Sequence, residues 1–339
     1  MITTAQQLFK VFSGKKVLVL GDVMIDAYLQ GQVNRISPEA PVPIVDIRER
    51  YYRLGGAANV ALNLQSLSAV PILCSVIGKD EKGGLFNRLM IEKQLDTAAL
   101  VSSENRKTTI KYRVVGNRLQ MLRIDEEDRH PLNETEEAAY LSLIKKVIDN
   151  QEIDAVIFED YDKGCLTKNV IRTVVGWAKE RDMIVTVDPK KRNFRYYQGV
   201  TLFKPNLKEL WEGMEISPKE FSEEEVQKVM KAFASDNSIE LVFTTLSERG
   251  VALYDRRHDR FYMQPAYLRK ISDVSGAGDT VISVATLCLT AGLSEIQTAQ
   301  IANLSGGIVC EHSGVVPVPI HQMETEIEKY RLLSSETTI

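Results

Sequence analysis

Short, unbroken runs of aliphatic and β-branched residues recur along this chain, and longer segments of helical periodicity separate them. The runs fall at Val17 to Leu20, Ile72 to Ile77, Ala155 to Phe158, Ile184 to Val187, Leu202 to Phe203 and Leu241 to Thr244. Apolar runs without alternation suit strands covered on both faces. The intervening segments Ala57 to Leu67, Gly84 to Gln94, Thr135 to Ile148, Lys168 to Lys179, Ser222 to Ala234, Ala277 to Leu289 and Glu295 to Val309 read as helices. Strands that alternate with helices require crossover connections, so the expected class is α/β, with a central, mostly parallel sheet flanked by helices.

Two stretches break that rhythm. Residues 28–50 and 107–124 alternate polar and apolar side chains, carry Pro and Gly, and have no helical stripe. They are expected to form antiparallel strands outside the main sheet. Inserted early in an α/β chain, they would make a small β-sheet lid over the carboxyl ends of the core strands, where open α/β sheets bind ligands. Residues 1–330 then form one domain carrying this lid, and 331–339 a polar, frayed tail.

Composition narrows the function. With 42 basic and 46 acidic residues the formal net charge is -4. That balance offers no general attraction to nucleic acid or to an anionic membrane, so any anion site must be local. The start, MITTAQQLFKVF, lacks the pattern of a secretion signal and no apolar run reaches membrane-spanning length, so a cytoplasmic protein is expected. Cys74, Cys165, Cys288 and Cys310 are too scattered for a zinc site and read as buried thiols, and the dispersed histidines do not suggest a metal.

The segment richest in chemistry is Asp273-Val274-Ser275-Gly276-Ala277-Gly278-Asp279-Thr280, which runs straight into the apolar helix VISVATLCL. Small residues entering a helix leave backbone amides free and accessible, and the helix dipole favours an anion there. Gly276, Ala277 and Gly278 are thus candidates to hold a phosphoryl group. Asp279, in the first turn, is placed to take a proton from an attacking hydroxyl. An ordinary capped helix would explain these residues equally well if they stood alone.

They do not stand alone. Asp273 to Thr280 resembles the second signature of the ribokinase-like (PfkB) sugar kinases, and Leu54-Gly55-Gly56-Ala57-Ala58-Asn59-Val60-Ala61 resembles the first. Gly21-Asp22 and Asp26 follow the first strand, where that family binds sugar hydroxyls with an aspartate. Asn206-Leu207-Lys208-Glu209 resembles the element that organises magnesium, which implies that Glu209 contacts magnesium through water. Thr245-Leu246-Ser247-Glu248-Arg249-Gly250 resembles the segment contacting the nucleotide. The resemblance covers nearly the whole chain in family order. It implies ATP and Mg2+ as cosubstrate and cofactor, a monovalent cation such as K+ near Asp273 and Ser313, and a homodimer through the lid. Asp22, Asp26, Gly55, Gly56 and Asn59 would bind sugar, and Asn206, Glu209, Thr245, Ser247, Gly250, Gly276 and Gly278 would bind the nucleotide.

A narrower resemblance lies in Asn34-Arg35-Ile36-Ser37-Pro38-Glu39-Ala40-Pro41-Val42-Pro43, with Glu159-Asp160-Tyr161-Asp162-Lys163-Gly164 and Asp188-Pro189-Lys190. These are similar to bacterial kinases that phosphorylate D-glycero-D-manno-heptose 7-phosphate at its anomeric hydroxyl, a step toward ADP-heptose and the lipopolysaccharide core. A substrate that already bears a phosphate needs cations, so Arg35, Arg123, Lys163 and Lys190, with Asp160, join the expected substrate contacts. The chain departs from that pattern at Glu159, where many relatives have a small residue, and at Lys191-Arg192-Asn193-Phe194, where they have glycine after the lysine. No segment resembles the nucleotidyltransferase domain of the bifunctional members, so a separate protein is expected to add the nucleotide. Fructose, ribose, a nucleoside or another sugar phosphate stay open as acceptors, as does a non-catalytic sensor. A dinucleotide or P-loop enzyme is excluded, because the first strand leads to GDVMID and neither glycine fingerprint occurs.

Overall fold

A computed structural model describes residues 2–217 and 221–334. In chain order its strands are β1 (Lys16–Gly21), β2 (Val23–Ile36), β3 (Pro43–Gly56), β4 (Val70–Gly78), β5 (Leu100–Ser103), β6 (Ile110–Gly116), β7 (Leu119–Glu126), β8 (Ala155–Glu159), β9 (Ile184–Asp188), β10 (Leu202–Phe203), β11 (Leu241–Thr245), β12 (Val251–Asp255) and β13 (Arg260–Gln264). The helices are α1 (Ala5–Phe12), α2 (Ala57–Ser66), α3 (Glu81–Glu92), α4 (Glu134–Asn150), α5 (Lys168–Lys179), α6 (Leu207–Gly213), α7 (Glu223–Asp236), α8 (Ala277–Thr290), α9 (Glu295–Val309) and α10 (Ile320–Lys329).

The main sheet has nine strands in the order β13-β12-β11-β10-β9-β8-β1-β4-β5. It is parallel from β11 to β5, and β12 and β13 are added antiparallel at one edge. β1 shows why the apolar runs are unbroken: Val17 and Val19 enter the core on one face, and Leu18 and Leu20 enter a second core on the other. Both faces are dry, so neither accepts a polar alternation. α8 is buried along most of its length because it lies between α2, α9 and the ends of β8 and β9. A helix without a wet face carries almost no polar stripe.

The chain leaves β1 toward β4 on one side and returns later to β8 on the other. That change of direction opens a crevice at the carboxyl ends of β1, β8 and β9.

A separate four-stranded sheet, ordered β3-β2-β6-β7, stands over that crevice. Its outer pairs are antiparallel, as expected, but the central pair, β2 with β6, is parallel. β2 and β3 extend beyond the expected 28–50 at both ends, whereas β6 begins inside the expected 107–124 and β7 runs two residues past it. Val23 to Tyr28 are buried, so the first half of β2 lacks the alternation that marked the rest. β2 starts two residues after β1, and β3 runs directly into α2, so this sheet is tied to the crevice at both ends.

Elements without a strong pattern were not foreseen: α1 and α10, which pack on each other, the edge strands β5 and β13, and β12 beside the latter. The expected frayed tail begins too early. Leu332 and Leu333 are buried in the core, and 335–339 lie outside the described residues. Among the described residues no helix is long and apolar enough to cross a membrane, and all four cysteines are buried and unpaired.

Gly21 ends β1 where its backbone meets that of β8, and a Cβ there would overlap the Glu159 carbonyl oxygen. Gly21→Ala is therefore expected to lower unfolding stability by about 1–3 kcal/mol, read from chemical denaturation; an unchanged midpoint would remove this close approach from the account.

Candidate active site

The turn before α8 is open at its tip. Val274 is exposed and Ser275 to Gly278 are half-buried, so the segment faces the crevice and is not sealed in the core. Gly276 is the N-cap, with φ of 82° and no side-chain cap. That left-handed conformation suits glycine, and a Cβ there would sit 2.9 Å from Asn59 Nδ2. The Ala277 amide is spent on Val274 O at 3.3 Å, whereas the Gly276, Gly278 and Asp279 amides have no protein acceptor among the described residues. Free amides at the positive end of a fourteen-residue helix make an anion cradle.

Asp279 is 4% exposed, one residue past Gly278. Its Oδ2 accepts from Asn59 Nδ2 at 2.7 Å and its Oδ1 from the Tyr161 hydroxyl at 2.9 Å. Burial pushes its carboxyl up to about 6. The Asn59 hydrogen bond opposes that rise and the nearby Asp188 charge adds to it. The group stays ionised at neutral pH but is far more basic than a solvated aspartate. Asn59 Oδ1 is buried without a partner, an acceptor that a substrate hydroxyl could satisfy.

The floor of the crevice was not legible in the sequence. Glu159 and Asp188 end adjacent strands in register, and one carboxylate oxygen from each lies within 4.8 Å of one on Asp279. Lys204, 3% exposed, pairs with Asp188 Oδ2 at 2.7 Å. A Cβ on Gly278 would lie 3.4 Å from both Asp188 Oδ2 and Lys204 Nζ, so this cation lies directly beside the anion turn. Lys190 bonds Glu209 and lies 5.5 Å from the Tyr161 ring centre. Tyr161, Lys204, Asp188 and Glu159 carry one common signal that could have found them: each sits at or just past the carboxyl end of a parallel core strand.

Several expected contacts have other employment. Asp22 accepts from the backbone amides of Tyr161, Lys163 and Cys165, each at 3.0 Å, so its carboxylate shapes the loop after β8 and is not presented to a sugar. Asp160 points into the core, accepting from Asn193 Nδ2 and the Tyr197 hydroxyl at 2.9 Å. Burial and the nearby Asp22 charge raise its carboxyl to about 7. Arg35 is exposed in the outer part of β2, nine residues beyond Asp26. At about 3.3 Å per residue that is roughly 30 Å from the crevice of its own chain. Lys163 is turned to Glu127 Oε2 at 2.9 Å.

The remaining candidates lie in the second sheet or at or just past the carboxyl ends of core strands. Asp26 is buried and bonded to Arg113, and Gly55 leaves room for its other oxygen. Gly56 passes against the Asp22 carbonyl with φ of 62°. Arg123 faces Arg113 across the β6–β7 pair and stays half exposed, with Nε on Asp125 at 2.9 Å. Asn206 and Glu209 form a reciprocal cap of α6. Thr245 bridges to Asn206, which brings the Thr245, Ser247 and Gly250 segment beside that cap, and Gly250 has φ of 91°.

The expected monovalent-cation donors are already engaged. Asp273 accepts from the amides of Ser275 and Gly314, both at 2.9 Å. The Arg53 guanidinium donates to the carbonyls of Ser313 at 3.2 Å and Val315 at 2.9 Å. A cation is thus supplied by the protein itself, and K+ does not fit this donor set.

A mostly parallel sheet under a small second sheet, with an anion turn at their junction, is the ribokinase-like architecture. Phosphofructokinase-2 from Escherichia coli in complex with potassium matches it with a TM-score of 0.75 at 16% identity, over 94% of this chain and 99% of that one. Ribokinase from Arabidopsis thaliana complexed with ribose and ATP matches with 0.68 at 15%, over 92% and 99%. Such identities speak for the fold alone. Residues 14–322 match the model of the pfkB family carbohydrate kinases, and the chain belongs to that family. It is accordingly a phosphotransferase with a sugar hydroxyl as acceptor. Among curated relatives, the bifunctional protein HldE of Sulfurimonas denitrificans is 36% identical over 323 residues, and that of Caulobacter vibrioides 39% over 306, covering 95% and 90% of this chain. The chain spans 65% and 62% of the length of those two relatives.

Glu127 anchors the loop carrying Lys163. Burial works to raise its carboxyl, but hydrogen bonds from Lys163 and Arg129 and the Lys111 charge outweigh that and hold it down to about 2, from an ordinary 4.5. A carboxylate with a depressed folded-state pKa stabilises above its unfolded value and loses that stabilisation as pH falls toward the folded one. Glu127→Gln is expected to cost about 1–3 kcal/mol at pH 7, and the gap to the parent should close between pH 4.5 and 2. A gap independent of pH in urea melts would contradict the ionic account.

Proposed function

We propose that the chain transfers the γ-phosphoryl group of ATP to the anomeric hydroxyl of D-glycero-D-manno-heptose 7-phosphate, giving the 1,7-bisphosphate used for ADP-heptose and the lipopolysaccharide core. One observation carries the kinase chemistry: a buried, basic carboxylate, Asp279, is held by two hydrogen bonds one residue beyond an amide with no protein acceptor. The heptose assignment is supported by the bifunctional HldE relatives and by the Arg35-Ile36-Ser37-Pro38-Glu39-Ala40-Pro41-Val42-Pro43 run.

Phosphoryl transfer asks a protein mostly for alignment and for compensation of negative charge, because the migrating group is loosely bonded in the transition state. The Gly278 and Asp279 amides and the Lys204 ammonium would take up that charge. Asp279 accepts the proton of the attacking hydroxyl, with Asn59 and Tyr161 fixing the direction of its lone pairs. Asn59 Oδ1 and the Asp26 carboxylate would orient neighbouring sugar hydroxyls, and Arg123, half exposed, would bind the substrate's own phosphate. Magnesium, when bound, would neutralise the triphosphate, with Glu209 holding one of its waters; the carboxylates around Lys190 and Lys204 fit such a cation. The reaction draws on ATP and sugar phosphate, which fits a cytoplasmic enzyme.

The second sheet also supports the homodimer. β7 is exposed through Leu119, Met121, Leu122 and Ile124, and an apolar edge strand of that kind invites a second copy. Sedimentation velocity should give twice the mass of one chain, and a single-chain mass at micromolar concentration would remove the dimer. A coupled ADP-release assay tests the reaction itself. Turnover should be strongest on heptose 7-phosphate and should fall about 10²- to 10⁴-fold in Asp279→Asn. Preference for an unphosphorylated sugar would sink the heptose assignment, and unchanged turnover in the variant would sink the role of Asp279.

A further inference from the structure

We infer that Glu159 and Asp188 form a direct binding site for a hard divalent cation in the floor of the crevice, and that it fills without nucleotide. The inference deepens the kinase reading, on which the use of the metal rests, although its binding can be measured independently.

Three observations lead there. First, Glu159 and Asp188 are the last residues of adjacent parallel strands and are paired in register, so their side chains leave the sheet on the same side, toward the start of α8. Their ligand oxygens, with one from Asp279, lie within 4.8 Å of one another.

Second, the three carboxylates are not equally satisfied. Asp279 accepts from Asn59 and Tyr161, and Asp188 from Lys204. Glu159 is 1% exposed, and its Oε2 is sealed from solvent with no hydrogen-bond partner. A buried carboxylate left without a donor is costly, and proteins resolve that cost with a proton, a cationic side chain or a metal ion.

Third, charge around the crevice floor does not balance. Glu159, Asp188, Asp279 and Glu209 face Lys190 and Lys204, and Lys190 is already bonded to Glu209. A divalent cation between Glu159 and Asp188 would restore neutrality. The donors are all oxygen, with no imidazole or thiolate among them, which selects magnesium or manganese over zinc. Asp279 keeps its two hydrogen bonds and stays free to act on the substrate.

A proton on Glu159 would satisfy its unpartnered oxygen and remove one of the two excess charges, so the test must separate the two. Mn2+ is titrated into the nucleotide-free full chain and followed by electron paramagnetic resonance. The expected result is one bound Mn2+ per chain, displaced by Mg2+, weakened about tenfold or more in Glu159→Gln and retained in Glu209→Gln. No binding without nucleotide, equal binding in Glu159→Gln, or loss in Glu209→Gln alone would each overturn the site. If Glu159→Gln does not fold, Glu159→Asp is read instead: it keeps the charge, withdraws it by one methylene, and should weaken Mn2+ in the same direction. The ADP-release assay on the parent chain is scored separately, so failure of the heptose or kinase reading is distinguishable from failure of the metal site.

Discussion

The crevice depends on the grip of one carboxylate on three backbone amides. Asp22 sits between the last residue of β1 and the first of β2, and it binds the amides of Tyr161, Lys163 and Cys165 in the loop after β8. Burial raises its carboxyl, and the three amides and the Arg106 charge oppose that rise. Because the loop is held there, Tyr161 reaches Asp279 and Lys163 reaches Glu127 at the root of the second sheet. Core, second sheet and the turn before α8 are thus joined through a single side chain, and buried hydrogen-bonded networks of this type favour one arrangement.

Charge is handled differently on the two sides of that hinge. Toward the core, Asp160 is absorbed by Asn193 and Tyr197 and plays no part in the crevice. Toward the helix start, Glu159, Asp188 and Asp279 lie close to Lys204, all four buried. Excluding water strengthens every interaction between them. It also explains why burial dominates the raised carboxyls of both Glu159 and Asp279. A site arranged in this way stores negative charge that a metal and a lysine can compensate, beside amides awaiting an anion. That is the electrostatic contrast phosphoryl transfer needs.

The apolar runs, the open helix start and the glycine pair were legible because each is a local pattern. Val17 to Leu20 carries its own signature of two-sided burial, and Gly276 to Asp279 carries that of an open helix start. Assignments failed where a residue type has two equally good uses. Asp22 and Asp160 sit where a polar ligand contact could be, yet both serve the protein itself. Arg35 lies within the most distinctive run of the chain, but an extended strand carries it far from its own crevice. Arg53 drew no notice in the sequence, and it donates to the carbonyls of Ser313, near which K+ was expected, and of Val315.

By itself the sequence determined the class of fold and marked the glycine-rich helix start with Asp279 in its first turn, because periodicity and helix-start chemistry act over a few neighbouring residues. Only the tertiary structure decided which carboxylates line the crevice and which hold the frame. Tyr161, Asp188, Lys204 and Asp279 meet through the register of strands joined by long crossovers, and a linear pattern records spacing along the chain but not the side-by-side order of its strands.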